Sequence, residues 1–456
     1  MQAVSDGVTG QILKHGAGYV AWKIAPDSLV SDANRRRIIE EFLRNVPILI
    51  VPNAFKGNLT ARNAAQSIER GIRYVLPDAP INIVPTADGG DGTRETLVDA
   101  TKGESHWACV KGPLREVIHA PFGILGDGKT AVIEMAETSG LRHVEASNCA
   151  KDPMTATTYG VGQAILAALK QGKEIENVII CLGGSASTDG GVGALAALGY
   201  RFFDAAGNAV DASQGGSILS SIHSIDCSGV PDEVKALKLK VACDVENPPY
   251  GQKGAAYTFG PQKGANEEQK KQLDAGVKNL CEVIAKPISS GGLGIDLSRL
   301  AGGGAAGALG MGLAAIGGEL TPGFKLVAEA TNLNEHIKKA AIVITAEGMF
   351  DETSLNGKAP IGVAEIVHSS GSPKHLVGLG GNLKDDHAFY QAGFDYVSST
   401  ITEAIPWQVA KANSSQDLER AAARWARSFV NFLYSSQGLK APGLARHGER
   451  ATLRAM

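Results

Sequence analysis

Nothing limits the folds open to this chain more than the run from residue 46 to residue 86. "VPILIVPN" (46–53) is a continuous apolar stretch of strand length. "TARNAAQSIERGIRYVL" (60–76) brings Ala64, Ala65, Ile68, Ile72 and Val75 to one side of a helix, with Thr60 as its N-cap. "INIVPT" (81–86) is the next strand. Strand, helix and strand in that order make a βαβ unit, whose strands lie parallel. The alternation returns late in the chain with "AAIVITAEG" (340–348), a helix from about Pro360, "HLVGLGG" (375–381), a helix near 385–392 and "DYVSST" (395–400). Residues 416–435 read as a closing helix.

The middle of the chain follows another pattern. "REVIHAPFGILGDGKTAVIEMAE" (115–137) is two apolar runs joined by a glycine-rich turn, which predicts a β-hairpin. "KLKVACDVENP" (238–248) is a strand that ends at an acid, and "GGGAAGALGMGLAAIGG" (302–318) is a closely packing glycine-alanine helix. The expected organisation is a parallel α/β domain of residues 47–85 and 291–436, interrupted by a mixed α/β domain of residues 86–290. Residues 1–46 are expected as an N-terminal extension, and 437–456 as a basic, flexible tail.

A chain of 456 residues has room for two or three domains. Its net charge of −3 and pI near 6.4 point to neither nucleic acid nor an anionic membrane as partner. Six cysteines without a CxxC pair indicate no zinc site and no disulfide framework, and Cys181 and Cys243 read as buried thiols. With no long apolar span and no basic-then-apolar start, the expectation is a cytoplasmic protein; a homo-oligomer is left open. Glycine is the one unusual component: 56 residues, about 12% against a usual ~7%. These glycines gather where apolar runs end, so the loops at strand ends carry the chemistry.

Two motif matches lack their structural context. "GILGDGKT" (123–130) fits a phosphate-binding P-loop, but a strand rather than a helix follows the lysine. "GGGAAG" (302–307) fits a dinucleotide fingerprint, but no apolar strand precedes it. A dehydrogenase reading would rest on that second match alone.

Four other loops fit a phosphate-bearing ligand. "NAFKGNLTA" (53–61) sets Lys56 between a strand and a helix. "TADGGDGT" (86–93) follows a strand with Asp88 and Asp91 among glycines. "CDVENPPYGQKGAAYTFGPQKGA" (243–265) joins Asp244 and Asn247 to Lys253 and Lys263, and "TAEGMFDETSLNGKAPIGVAEI" (345–366) joins Glu347 and Asp351 to Lys358. Oxygen ligands and cations on glycine turns suit a metal–phosphate complex. To these "GGSASTDGG" (183–191) adds a glycine-hydroxyl loop before an apolar helix, in which Asp189 is either a catalytic acid or a helix cap.

These blocks, with "DPMTATTYGVGQ" (152–163), "FGPQKGA" (259–265) and "GKAPIGVA" (357–364), resemble in order the glycerate kinases of the bacterial type-1 class over about 47–435. The resemblance implies ATP-dependent phosphorylation of D-glycerate with Mg²⁺, usually to 2-phosphoglycerate. It also implies a flavodoxin-like domain interrupted by a second α/β domain, with the active site in the cleft between them. On this reading Asp189, or failing it Asp88, orients or deprotonates a glycerate hydroxyl, and Lys56 holds the carboxylate or phosphate. Gly183, Gly184, Ser185, Lys263 and Lys358 face phosphate, while Asp244, Glu347 and Asp351 are the pool for metal contact. The chain departs from the common pattern at Asn53 and Ala54, and at Ala346, Met349 and Phe350, where a glycine and an arginine are missing. Those departures motivate an alternative, a nucleotide- or hydroxy-acid-binding regulator with weakened turnover. "KIAPDSL" (23–29) copies the family's opening block without its following Lys-Gly and reads as coincidence.

Overall fold

The computed structural model describes residues 3–5, 8–15, 19–23, 31–55, 58–171, 174–352, 354–355 and 358–442. Lys56, Gly57, Gly357, most of "KIAPDSL" and the tail from 443 lie outside the described residues. The chain forms two compact units, Met1–Pro85 with Asn332–Met456, and Thr86–Thr331.

The first unit is built on a parallel five-stranded sheet. Its order is Tyr396–Ser399, His375–Leu383, Ile342–Phe350, Ile48–Pro52, Ile81–Ile83. All five residues of Ile48–Pro52 are buried, as expected of a strand covered on both faces. Helix Ala61–Arg73 starts where Thr60 Oγ1 accepts the Asn63 N–H at 3.1 Å, and it buries Ala64, Ala65, Ile68 and Ile72. Its neighbour is the long helix Trp407–Ser435, which starts nine residues before the sequence pattern suggests. Gly71 permits that approach, because a Cβ there would run into the Glu419 carbonyl oxygen.

The N-terminal stretch is not uniformly peripheral. Ala3–Ser5, Val8–His15 and Tyr19–Lys23 form a small antiparallel sheet. Helix Asp32–Asn45, by contrast, puts Ile38 and Ile39 into the same core as Trp425 and Leu433. Arg36 reaches the Lys440 carbonyl at 3.0 Å and lies over the Tyr434 ring.

The second unit carries a mixed six-stranded sheet ordered Glu319–Thr321, Lys238–Ala242, Asn177–Cys181, Thr130–Glu134, Val117–Ile124, Glu104–Lys111. The first four strands run parallel and the last two antiparallel. Residues 291–331, expected with the other sheet, belong here, because Glu319–Thr321 pairs with Lys238–Ala242. A smaller antiparallel sheet of Arg201–Phe203, Ala209–Val210 and Ser224–Asp226 has no counterpart in the sequence reading.

Both discounted motifs are structural. Ile124 pairs with Ala131 across the "GILGDGKT" turn, whose Asp127 accepts from the N–H groups of Lys129 and Thr130. Lys129 itself pairs with Glu176 at 2.5 Å. "GGGAAG" runs into helix Ala305–Ala314, where Ala306, Gly307 and Ala308 all have positive φ. Alanine in that conformation costs on the order of 1–2 kcal/mol per residue, so neighbouring contacts hold the segment in place.

Candidate active site

In the second unit, register puts the carboxyl ends of four parallel strands on one edge. Glu134 lies opposite Cys181, Cys181 opposite Ala242, and Ala242 opposite Thr321. That edge is where α/β sheets bind ligands. The loops leaving it carry Gly183-Gly184-Ser185, Asp244 and Gly323, and residues 88–90 lie against them. A Cβ on Gly89 would stand 2.9 Å from that of Ala242, and one on Gly183 would stand 3.1 Å from the Gly90 Cα. Gly323 lies so close that a Cβ would strike the Asp88 carbonyl, and its N–H donates to Asp244 Oδ1 at 2.8 Å. Asp88, Asp244 and the first half of the glycine-hydroxyl loop are thus brought together. Asp88 is 8% exposed, and its Oδ1 accepts a long 3.3 Å bond from the Gly90 N–H.

Asp189 sits differently. Its side chain is fully enclosed. Oδ2 accepts from the N–H and hydroxyl of Thr158, both at 2.8 Å, and Oδ1 accepts from the Gly191 N–H at 3.1 Å. These bonds tie the starts of helices Tyr159–Leu169 and Val192–Ala197 together. Burial pushes its carboxyl above the usual range, and the Thr158 and Gly191 donors oppose that shift. Lys263 is also enclosed, at 1% exposure, and its ammonium donates to the Ser187 carbonyl at 2.5 Å. Burial lowers its pKa to about 7, against the attraction of Asp189. In this arrangement Asp189 and Lys263 serve the loop backbone from inside. On its other side, the Gly190 N–H donates to the Gly307 carbonyl at 3.0 Å, which accounts for the unusual backbone at 306–308. Among the described residues the hydroxyls of Ser139, Ser187 and Thr188 are buried without a partner.

Glu134 is a member of this edge that the sequence reading missed. Burial raises its carboxyl pKa, and it accepts the Arg94 N–H at 2.6 Å at the start of helix Thr93–Thr101. An isolated glutamate at the end of an apolar strand gave no signal.

The first unit gathers the other candidates. Glu347 Oε2 accepts from the Ser354 hydroxyl at 3.1 Å, and Asp351 Oδ1 from the Ser354 N–H at 3.3 Å. Lys358 is the N-cap residue of helix Ala359–Ser369. All three carboxylate and ammonium side chains line one cavity of about 240 Å³. Trp407 also lines it, and no sequence pattern separates such an aromatic from an ordinary core residue.

Two of the altered positions, Asn53 and Phe350, have local roles. Asn53 caps its own strand end, with Oδ1 accepting the Ala54 N–H at 2.7 Å, and Phe350 stacks on Phe389 at 4.8 Å between centroids. Among the described residues no three His, Cys, Asp or Glu side chains converge on a point that could hold a metal. No helix among them is long and apolar enough to cross a membrane.

Residues 48–430 match the model of the Glycerate kinase family. The chain belongs to that family. It is 44% identical to the glycerate 2-kinase of Escherichia coli K12, over 78% of this chain and 90% of that one. It is 42% identical to the glycerate kinase of Bacillus subtilis 168, over 84% and 97%. A solved chain from Salmonella typhimurium LT2, provisionally named glycerate kinase 2, superposes with a TM-score of 0.75 at 39% identity and covers 84% of this chain and 98% of its own. Membership makes this chain a glycerate kinase, a phosphotransferase.

Proposed function

We propose that this glycerate kinase transfers the γ-phosphoryl group of ATP to the 2-hydroxyl of D-glycerate, with Mg²⁺ as the metal. The observation that carries the reading is the meeting of Asp88 and the Gly183-Gly184-Ser185 turn at the carboxyl edge of the parallel strands. Phosphoryl transfer requires donors around the moving group, an oriented hydroxyl and neutralised charge. The glycine turn offers backbone N–H groups that a larger residue would obstruct. Asp88 accepts the proton or hydrogen bond of the attacking hydroxyl; it takes this role over Asp189, whose oxygens are committed to Thr158 and Gly191.

Lys56 and Lys358 remain the proposed cations for carboxylate and phosphate. Lys263 instead holds the loop in shape, and Asp189 does the same. Asp244 in the second unit, and Glu347 and Asp351 in the first, are the pool of carboxylates from which Mg²⁺ would take its contacts, directly or through water. Carboxylates in ones and twos suit a cation that keeps several waters and takes phosphate oxygens as its remaining ligands. When bound, the ion neutralises charge on the phosphate oxygens.

A coupled ADP-release assay with D-glycerate tests the activity, and NMR of the product identifies the phosphorylated hydroxyl. A product phosphorylated at the 3-hydroxyl would overturn the choice of acceptor, and no glycerate-dependent ADP release would overturn the activity.

A further inference from the structure

The cavity of the first unit has walls that the phosphoryl chemistry does not explain. It lies at the carboxyl ends of strands Ile342–Phe350 and His375–Leu383, with Gly348, Met349 and Gly381 in its lining. Gly381 lets those strand ends close up, since a Cβ there would strike the Gly348 carbonyl and stand 3.3 Å from the Phe55 ring. Phe55, Met349, Ile401 and Trp407 give the cavity its apolar sides. Two of these are open to water: Trp407 is 64% exposed and Met349 38%. A concave site lined by apolar and aromatic side chains with a few polar groups is the usual build of a small-molecule pocket.

We propose that this cavity receives the nucleoside of ATP, with the base against Trp407. The assignment deepens the reading above and rests on ATP being the phosphoryl donor. Of the two substrates, only the nucleotide has a flat apolar surface. Glycerate carries a carboxylate and two hydroxyls on three carbons and gains nothing from an indole, a phenyl ring and a thioether. A purine stacks on an indole face whatever its hydrogen-bonding edge.

The polar members of the cavity sit where the rest of the nucleotide requires them. Lys358 stands at the N-terminus of the eleven-residue helix Ala359–Ser369, an end suited to phosphate. Lys411, one helical turn after Trp407, also lines the cavity. The wall is rigid: Asn58 Nδ2 donates to Ser414 Oγ at 2.6 Å, fixing the loop before helix Ala61–Arg73 to the helix that carries Trp407. Ser354 Oγ donates to the Met349 carbonyl at 2.9 Å and holds the opposite wall. Trp407 itself bears no load in the core, so its removal leaves the fold intact.

The experiment is a comparison of wild type, Trp407→Ala and Trp407→Phe. Steady-state kinetics give KM for ATP and for glycerate separately. Titration with ADP in the absence of glycerate, followed by calorimetry, gives nucleotide affinity without turnover. Loss of one base stack corresponds to roughly 5- to 140-fold in affinity. The expected result is a rise of that size in the ATP KM and in the ADP dissociation constant for Trp407→Ala. The glycerate KM stays constant, and Trp407→Phe recovers part of the loss. Unchanged ATP KM and ADP affinity in Trp407→Ala would overturn the proposal. A rise in the glycerate KM alone would also overturn it and give the cavity to the hydroxy acid. Failure of the underlying function looks different: wild type would bind ADP in a Trp407-dependent way yet release none from ATP with glycerate.

Discussion

Asp189 and Asp88 are both acids on glycine turns, and what separates them is where their donors are. Asp189 is fully enclosed and its oxygens accept from Thr158 and Gly191 inside the fold, while Asp88, 8% exposed, stands beside the glycine turns at the strand-end edge. Asp189→Asn replaces one acceptor oxygen with an NH₂ group that faces another donor. It should cost about 1–3 kcal/mol of stability, seen as a lower Tm, while kcat of the folded protein stays within about tenfold of wild type. Asp88→Asn should do the reverse, lowering kcat by ~10²–10⁴ with little change in Tm. A full loss of kcat in a folded Asp189→Asn variant would return the base to Asp189. Lys263 makes stability depend on pH. Its folded pKa of about 7 lies below the ordinary 10.5 because it is buried. Below pH 7 both states carry the ammonium and the burial cost is felt in full. Between about pH 7 and 10.5 the unfolded chain binds the proton more than the folded one, so stability climbs with pH. The Tm of wild type measured against Lys263→Met should therefore improve from about pH 7 to about pH 9, and a flat difference would mean that the ammonium is not enclosed.

At the scale of elements, the hairpin over 117–134 and the βαβ start over 48–83 were legible because each is decided by neighbours in sequence. The turn at 125–130 is fixed by Asp127 two and three residues before its donors, and helix Ala61–Arg73 by Thr60 three residues before its own. Lys129 sits in a strand-connecting turn and is paired to Glu176. Lys129→Ala should leave the KM for ATP unchanged in the coupled assay, and a large increase would mean that "GILGDGKT" does hold phosphate. Elements held by distant pairing were not legible. Glu319–Thr321 is only three residues long, and its place is set by strand Lys238–Ala242, about eighty residues earlier. The left-handed run at 306–308 likewise has its reason elsewhere, in the close approach of residues 187–190.

On the scale of the molecule, the two units differ in how the chain builds them. Thr86–Thr331 is one continuous segment, and its apolar clusters draw on its own residues. The first unit is discontinuous: Ile48–Pro52, from its early segment, lies between Ile81–Ile83 and Ile342–Phe350. The isolated segment 86–331 should therefore fold cooperatively, with dispersed NMR signals and a single thermal transition, whereas 332–442 expressed alone should not. A molten 86–331 fragment would show that the second unit depends on the first for its core.

The sequence by itself determined the alternation of strands and helices, the hairpin, the rejection of two misleading phosphate motifs and, through its collinear blocks, the family. All of these rest on local periodicity, turn chemistry or the order of motifs, which survive without coordinates. It also named the loops that carry the chemistry, since glycine and acid together at strand ends is a local signature. Only the tertiary structure decided what each charged group faces. Asp189, read as either a catalytic acid or a helix cap, and Lys263, read as facing phosphate, are enclosed around a backbone loop, because Thr158, thirty-one residues away, and Ser187 supply their partners. Glu134 and Trp407 gave no sequence signal, yet one joins the strand-end edge and the other stands open at a cavity. Burial and partnership are properties of packing between distant segments, so residue type and spacing name the candidates and the fold assigns their surroundings.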